Sequence, residues 1–142
     1  LDFCVHLQLK AMLGDTQVKT APATVFDLIN QASAKNRQAV TAANNWLSCN
    51  FLNTQNAHGQ SDYEAEIVHI NTSGFTVKLK DLGLEGTVDL RRDEEKFSFD
   101  KWEMALASKT RRYQLRQQIR VQYQPVEKPR GESAAFSVIE GM

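Results

Sequence analysis

Residues 63–90 read YEAEIVHINTSGFTVKLKDLGLEGTVDL. The centre of this run alternates apolar Phe75, Val77 and Leu79 with Thr76, Lys78 and Lys80. A strand turns successive side chains to opposite faces, so one face is apolar and the other carries two lysines. Glu64 to Ile70 reads as the strand before it, closed by the turn Asn71-Thr72-Ser73-Gly74. Leu84 to Leu90 reads as the strand after it, entered through Asp81-Leu82-Gly83. Three short strands joined by glycine-bearing turns begin a small barrel whose lysine face suits an acidic polymer.

The chain beyond Leu90 continues the pattern. A charged segment, Arg91 to Lys96, precedes a hairpin with Phe97 to Phe99 facing Met104 to Ala107. Ile119 to Tyr123 reads as a strand ended by Pro125 and Pro129, and Ala134 to Ile139 as the last strand. Five main strands of this size suit an OB-fold.

The chain before Tyr63 has a helical period instead. Leu1, Val5, Leu9 and Met12 recur on one helical face, and Gly14-Asp15 stops that helix. Thr20-Ala21-Pro22 restarts the chain with a proline suited to a first helical turn. From Pro22 to about Asn53 no Gly or Pro interrupts, and Val25, Ile29, Ala32, Ala39, Ala43 and Trp46 form a stripe close to a heptad. Asn36 and Asn50 fall on the same stripe and weaken it. A helix this long and one-sided should pack on something. Asn53 to Ser61 (NTQNAHGQS) reads as a polar linker. The expected organisation is therefore α+β, with a helical part over 1–56 and a barrel over 62–142. The first residue lies inside a helical pattern without a Met or a cap, so a preceding segment is expected.

Composition narrows the function classes. The formal net charge is zero. Residues 1–61 hold four basic and three acidic side chains, and the remainder holds 13 and 14. Any surface for nucleic acid must therefore be local. Cys4 and Cys49 sit in apolar helical surroundings and read as reduced, buried thiols. No apolar run approaches the roughly 18 residues of a membrane span, so no membrane partner is expected.

No self-contained active site is legible. His6, His58 and His69 are isolated from any acidic or cysteine cluster, so no metal site is expected. His58 reads as solvated, His69 as a surface or edge residue, and His6 as a partly buried, hydrogen-bonded side chain. The consecutive carboxylates Asp93, Glu94 and Glu95 point in different directions and read as a solvated turn. The basic residues offer more. Lys78 and Lys80 share one strand face, Arg91 and Arg92 follow the third strand, and Lys109, Arg111, Arg112, Arg116 and Arg120 surround Tyr113 and Tyr123. Cations meet phosphates and exposed aromatics stack on bases, which makes Lys78, Lys80, Arg91, Arg92, Arg112 and Tyr113 the candidate nucleic-acid-binding set. A mixed-charge solvated surface competes with that reading, because Asp89, Asp93, Glu94 and Glu95 oppose the arginines.

The barrel segment, E-I-V-H-I-N-T-S-G-F-T-V-K-L followed by G-L-E-G-T-V-D-L, resembles the S-one type of OB-fold RNA-binding domain. That type carries stacking aromatics where this chain has Ser73 and Thr76, and often a His near the position of Asp89. The run N-T-S-G-F-T-V-K-L-K-D-L-G-L-E-G-T-V is similar to the C-terminal domain of the ribonuclease II / RNase R (RNB) family, most of all the exonuclease subunit of the eukaryotic exosome. The opening D-F-C-V-H-L-Q-L resembles the end of the RNB signature, with Asp2 and His6 matching and Leu7 replacing the usual Arg. The run A-K-N-R-Q-A-V-T-A-A-N-N-W resembles the helix before that family's terminal barrel.

The resemblance implies a processive, hydrolytic 3′-to-5′ exoribonuclease. It places the magnesium-holding aspartates and an assisting Arg outside these residues, so no catalytic residue and no cofactor is expected within them. The barrel would guide single-stranded RNA, with the remainder of the RNB domain and exosome-like subunits as partners. The implied setting is intracellular, in the nucleus, the cytoplasm or an organelle. The alternative is a non-catalytic scaffold subunit of an RNA-processing assembly that binds RNA or protein.

Overall fold

A computed structural model describes residues 2–14, 19 and 22–139. The chain divides into two compact units, Leu1–Thr41 and Ala42–Met142. The division falls inside the second helix rather than at the change of secondary structure.

The first unit holds helix α1 (Asp2–Met12) and the beginning of helix α2 (Ala23–Ala57). Helix α1 ends where Gly14 takes a φ of 91° and its N–H donates to the Ala11 carbonyl at 3.2 Å. The rest of the expected stop, Asp15, lies outside the described residues, as do Leu1 and the Thr20-Ala21 restart. Pro22 stands just before α2, and its carbonyl accepts from Val25 N–H at 3.0 Å. The apolar stripe of α1 does not form a buried face: Val5, Leu9 and Met12 are exposed and Cys4 is buried.

The second unit contains the barrel. Strands β1 (Asp62–Asn71), β2 (Gly74–Leu79), β3 (Glu85–Asp89), β7 (Gln118–Gln124) and β8 (Ala134–Val138) close in the order β1-β2-β3-β8-β7. Only β3 with β8 is parallel; the other four pairs are antiparallel. This connectivity is that of an OB-fold. The alternation in the sequence sets the inside. Ala65, Ile67, Phe75, Val77, Leu79, Val88, Val121, Tyr123, Ala134 and Phe136 are buried in one cluster. Burying each large apolar side chain stabilises the fold by about 1.5–3 kcal/mol.

Gly86 explains the glycine in the third strand. A Cβ there would lie 2.2 Å from a Phe136 ring carbon and 2.6 Å from the Ala134 carbonyl oxygen. Only a residue without a side chain lets β8 approach β3 closely enough to close the barrel at its parallel seam. Gly74 plays the same part at the first turn, where a Cβ would lie 2.0 Å from the Val88 carbonyl oxygen.

Helix α2 runs to Ala57, so Asn53 to Ala57 is helical and not linker as the sequence leads one to expect. The stop is at Gly59, with a φ of 89° and the Gln60 N–H donating to the Gln55 carbonyl at 3.0 Å, a Schellman ending. The helix stays regular because its polar side chains are used in tertiary contacts. Its docked face is Ala42, Asn45, Cys49, Leu52 and Asn53, one position away from the apolar stripe through Ala43 and Trp46. Leu52 and Cys49 enter the barrel core. Asn45 Nδ2 donates to the Gly131 carbonyl at 3.0 Å, and Asn53 Nδ2 to the Val126 carbonyl at 2.8 Å. The β7–β8 loop presents carbonyls that need donors, so asparagines serve where an apolar stripe would leave them unsatisfied. Trp46, on the expected stripe, is 48% exposed.

Between β3 and β7 the chain inserts a three-stranded meander, β4 (Ser98–Asp100), β5 (Ala105–Ala107) and β6 (Arg112–Gln114). The expected hairpin is β4–β5, paired Ser98 with Ala107 and Asp100 with Ala105. Strand β6 is an addition to the expected strands. Phe99, Leu106 and Tyr113 stand in register across the three strands, and Leu106 and Tyr113 are buried in the core cluster. Both cysteines are buried and unpaired, as their surroundings in the sequence predict.

Candidate nucleic-acid interface

The outer wall of β7, β1, β2 and β3 carries ordered rows of charge. In one row Arg120 stands opposite Glu64, and Lys80 Nζ lies 3.3 Å from Glu64 Oε2. In the next, Gln118 pairs with Glu66, Glu66 with Lys78, and Lys78 with Glu85. Both lysines thus share the solvent face, as alternation requires. Each is flanked by carboxylates that alternation within one strand could not reveal. Thr76 and Thr87 continue the wall toward the first turn.

The other expected residues are dispersed. Arg91 is held by Asp89: its Nη2 donates to Asp89 Oδ2 at 2.6 Å, and its backbone N–H donates to Asp89 Oδ1 at 2.9 Å. These bonds lower the Asp89 carboxyl pKa to about 2. Arg92 is exposed and lines an open cleft of about 850 Å³ with Asp93, Glu94, Glu95 and Arg111. Arg112 pairs with Glu103. Tyr113 does not act as a stacking surface: it is 5% exposed, and its ring packs on Phe75 at a centroid distance of 5.0 Å. The core needs an aromatic at the meander's inner row, and that use overrides the interleaving with arginines that singled Tyr113 out. Tyr123 is buried too, donating from its hydroxyl to Asn53 Oδ1 at 3.0 Å. Burial pushes its phenol up to about 12.

Two further expectations change. Asp93 and Glu95 are not a solvated turn: their side chains are 20% and 30% exposed, and both face Arg111. The Arg111 hydrogen bond holds the Asp93 carboxyl below the usual carboxylate range. Arg111 also stacks over Phe97, 5.1 Å from the ring centroid. The segment thus ties the meander's start to its second turn. His6 is exposed rather than partly buried, with Nε2 3.6 Å from Asp2 Oδ2 one helical turn away. Among the described residues no group of three His, Cys, Asp or Glu side chains could hold a metal ion.

The structure adds one residue that sequence reading missed. Trp102 sits at the β4–β5 turn and is 95% exposed. Asp100 Oδ1 accepts from the Trp102 N–H at 2.8 Å and the Glu103 N–H at 3.2 Å, which fixes the turn. The signal was present: a large aromatic in a charged turn, D-K-W-E, where turn chemistry asks for none.

A helical lead followed by a closed OB-fold barrel with a β-meander insert defines the class of structure. No family model matches the sequence, and no curated protein matches it. Among solved structures the chain is similar to Mycoplasma genitalium RNase R, both in its apo form and in complex with ribose methylated single-stranded RNA. In each case the identity is 17%, the TM-score is 0.64, and 80% of this chain is covered. The match spans 17% of the length of the RNase R chain. At this identity the likeness establishes the fold.

Proposed function

We propose that this chain is an RNA-guiding part of a hydrolytic 3′-to-5′ exoribonuclease of the RNB type, acting in RNA processing and decay. The observation that carries the reading is the match of helical lead and barrel together to an RNase R chain, one of whose structures holds single-stranded RNA. An OB barrel alone hosts many functions, so the combination matters more than the barrel. The S-one subtype, the likeness to the exosome exonuclease subunit and the nuclear or cytoplasmic setting belong to the same proposal. Magnesium would serve catalytic carboxylates that this reading places outside residues 1–142. Lys78, Lys80 and Arg92 are the cations of the expected set best placed to meet phosphates: Lys80 has a single exposed ion pair, and neither Lys78 nor Arg92 has one among the described residues.

The test is binding of single-stranded RNA by the purified chain, followed by fluorescence anisotropy across a salt series. The expected result is sequence-tolerant binding that weakens with salt by about 0.7 logarithmic units per phosphate contact per tenfold salt. Absence of binding at low salt would overturn the reading.

A second reading, a non-catalytic scaffold part, is favoured by one observation. An apolar groove of about 310 Å³ lies between α2 and the β2–β3 turn, lined by Leu47, Phe51, Leu82 and Leu84. Leu47 and Phe51 are 58% and 42% exposed. Such a surface suits a protein neighbour, and the remainder of an RNB-type domain is the partner that the first reading supplies.

A further inference from the structure

The barrel wall lacks exposed aromatics, so an RNA-binding reading leaves base contacts without a source. We propose that Trp102 is that source: a base-stacking platform for single-stranded RNA on the meander tip, with Lys101 and Arg116 meeting the flanking phosphates. The inference rests on the RNA reading above.

Four features place a ligand there. The indole is almost wholly solvated, which leaves both faces open. The Asp100 carboxylate fixes the turn through two backbone N–H groups, so little backbone entropy is lost on binding. Glu103, the acid that follows Trp102 in the chain, pairs with Arg112 on β6. Lys101 and Arg116 pair with no carboxylate among the described residues.

The register shows how Arg116 belongs to the tip. Ala105 pairs with Gln114, so Met104 and Leu115 follow at the same end of β5 and β6, and Arg116 comes next. Met104 and Leu115 are 38% and 42% exposed and give the site an apolar border. Arg116 adopts a φ of 64°, and its N–H donates to the Ile67 carbonyl at 2.8 Å, which ties the site to β1. An aromatic ring beside unpaired cations is the pattern that takes a base on the ring and phosphates on the charges.

The chain has two tryptophans, Trp46 and Trp102, so Trp46→Phe leaves Trp102 as the sole indole. In that variant, titration with single-stranded oligoadenylate should quench the indole emission, and a duplex RNA of the same length should not. In the native background Trp102→Ala should weaken binding by about 5- to 150-fold, with Trp102→Phe losing less. The salt slope should stay unchanged, because no charge is removed. The ring makes no core contact, so the denaturation midpoint of Trp102→Ala should match the native chain and exclude misfolding. Native-like RNA binding by Trp102→Ala, or an unquenched indole at saturating RNA, would overturn the inference while leaving the RNA reading intact. Failure of the native chain to bind RNA would overturn both.

Discussion

Replacing Glu64, Glu66 and Glu85 together by Gln tests whether the lysine wall is an RNA surface held neutral by its own carboxylates. The three acids stand around Lys78 and Lys80 in the strand register, and the ion pair among them, Lys80 with Glu64, has 45% and 66% exposed partners. An exposed pair of this kind contributes about 0–1 kcal/mol, so the triple variant should unfold within about 1 kcal/mol of the native chain. Its electrostatic effect should be larger. The formal net charge rises by three from zero. If each lysine then gains one phosphate contact beyond those of the native chain, the slope of log affinity against log salt steepens by about 1.4 for a single strand. Over the fourfold range from about 50 to 200 mM salt, that slope adds about a sevenfold loss of affinity to the native loss. The assay is fluorescence anisotropy with one labelled oligonucleotide across the salt series. Adding Lys78→Ala and Lys80→Ala to the triple variant should bring the slope back to the native value or below it, which separates a local effect from bulk charge. A triple variant with the native slope, or a steepened slope that survives loss of both lysines, would refute the reasoning.

Other consequences concern the scaffold. Leu52→Ala should cost about 2–5 kcal/mol in chemical denaturation, because the side chain is fully buried where α2 enters the barrel core. Gly74→Ala should destabilise by about 1–3 kcal/mol or more, since the obstructing Val88 oxygen belongs to a paired backbone and cannot rotate away; an unchanged midpoint would refute the close approach. Tyr123→Phe should cost about 1 kcal/mol by removing a buried donor from Asn53 and the end of α2. The same phenol, raised to about 12 mainly by burial, contributes stability that is full below its unfolded value of about 10 and lost as pH rises through 12. Asp89, lowered to about 2 by Arg91, works in the opposite sense: its contribution is present above about pH 4 and lost as pH falls toward 2. Solvent screening keeps that contribution below about 1 kcal/mol, so the check is a carboxyl NMR titration of Asp89, which Arg91→Ala should move up.

The barrel was legible in residues 63–90 because its signals are local. Phe75, Val77 and Leu79 share a face whatever the neighbours are, and Gly74 and Gly83 mark turns by their own backbone freedom. The hairpin through Phe99 and Leu106 and the two buried cysteines were readable on the same grounds. The interface was less so. That Lys78 and Lys80 share a solvent face follows from the period of a strand. That Glu64, Glu66 and Glu85 stand beside them follows only from register, which joins residues far apart in sequence.

Helix α2 shows the same division. Its existence followed from an uninterrupted helical run, but its docked face did not. Ala43 and Trp46 look like the buried stripe by hydropathy, yet Asn45, Cys49 and Asn53 are the residues that meet the barrel. The deciding factor is the set of carbonyls on the β7–β8 loop, which no pattern within the helix encodes. Tyr113 and Trp102 are the clearest pair. By type and charged surroundings either could stack on a base, and residue type says nothing of which is free. The inward row Phe99–Leu106–Tyr113 commits one ring to the core, and the turn fixed by Asp100 leaves the other in solvent. Local propensity and period thus determined the elements and the barrel. Tertiary packing alone decided which charges are neutralised and which aromatic remains exposed, because both depend on neighbours distant in the chain.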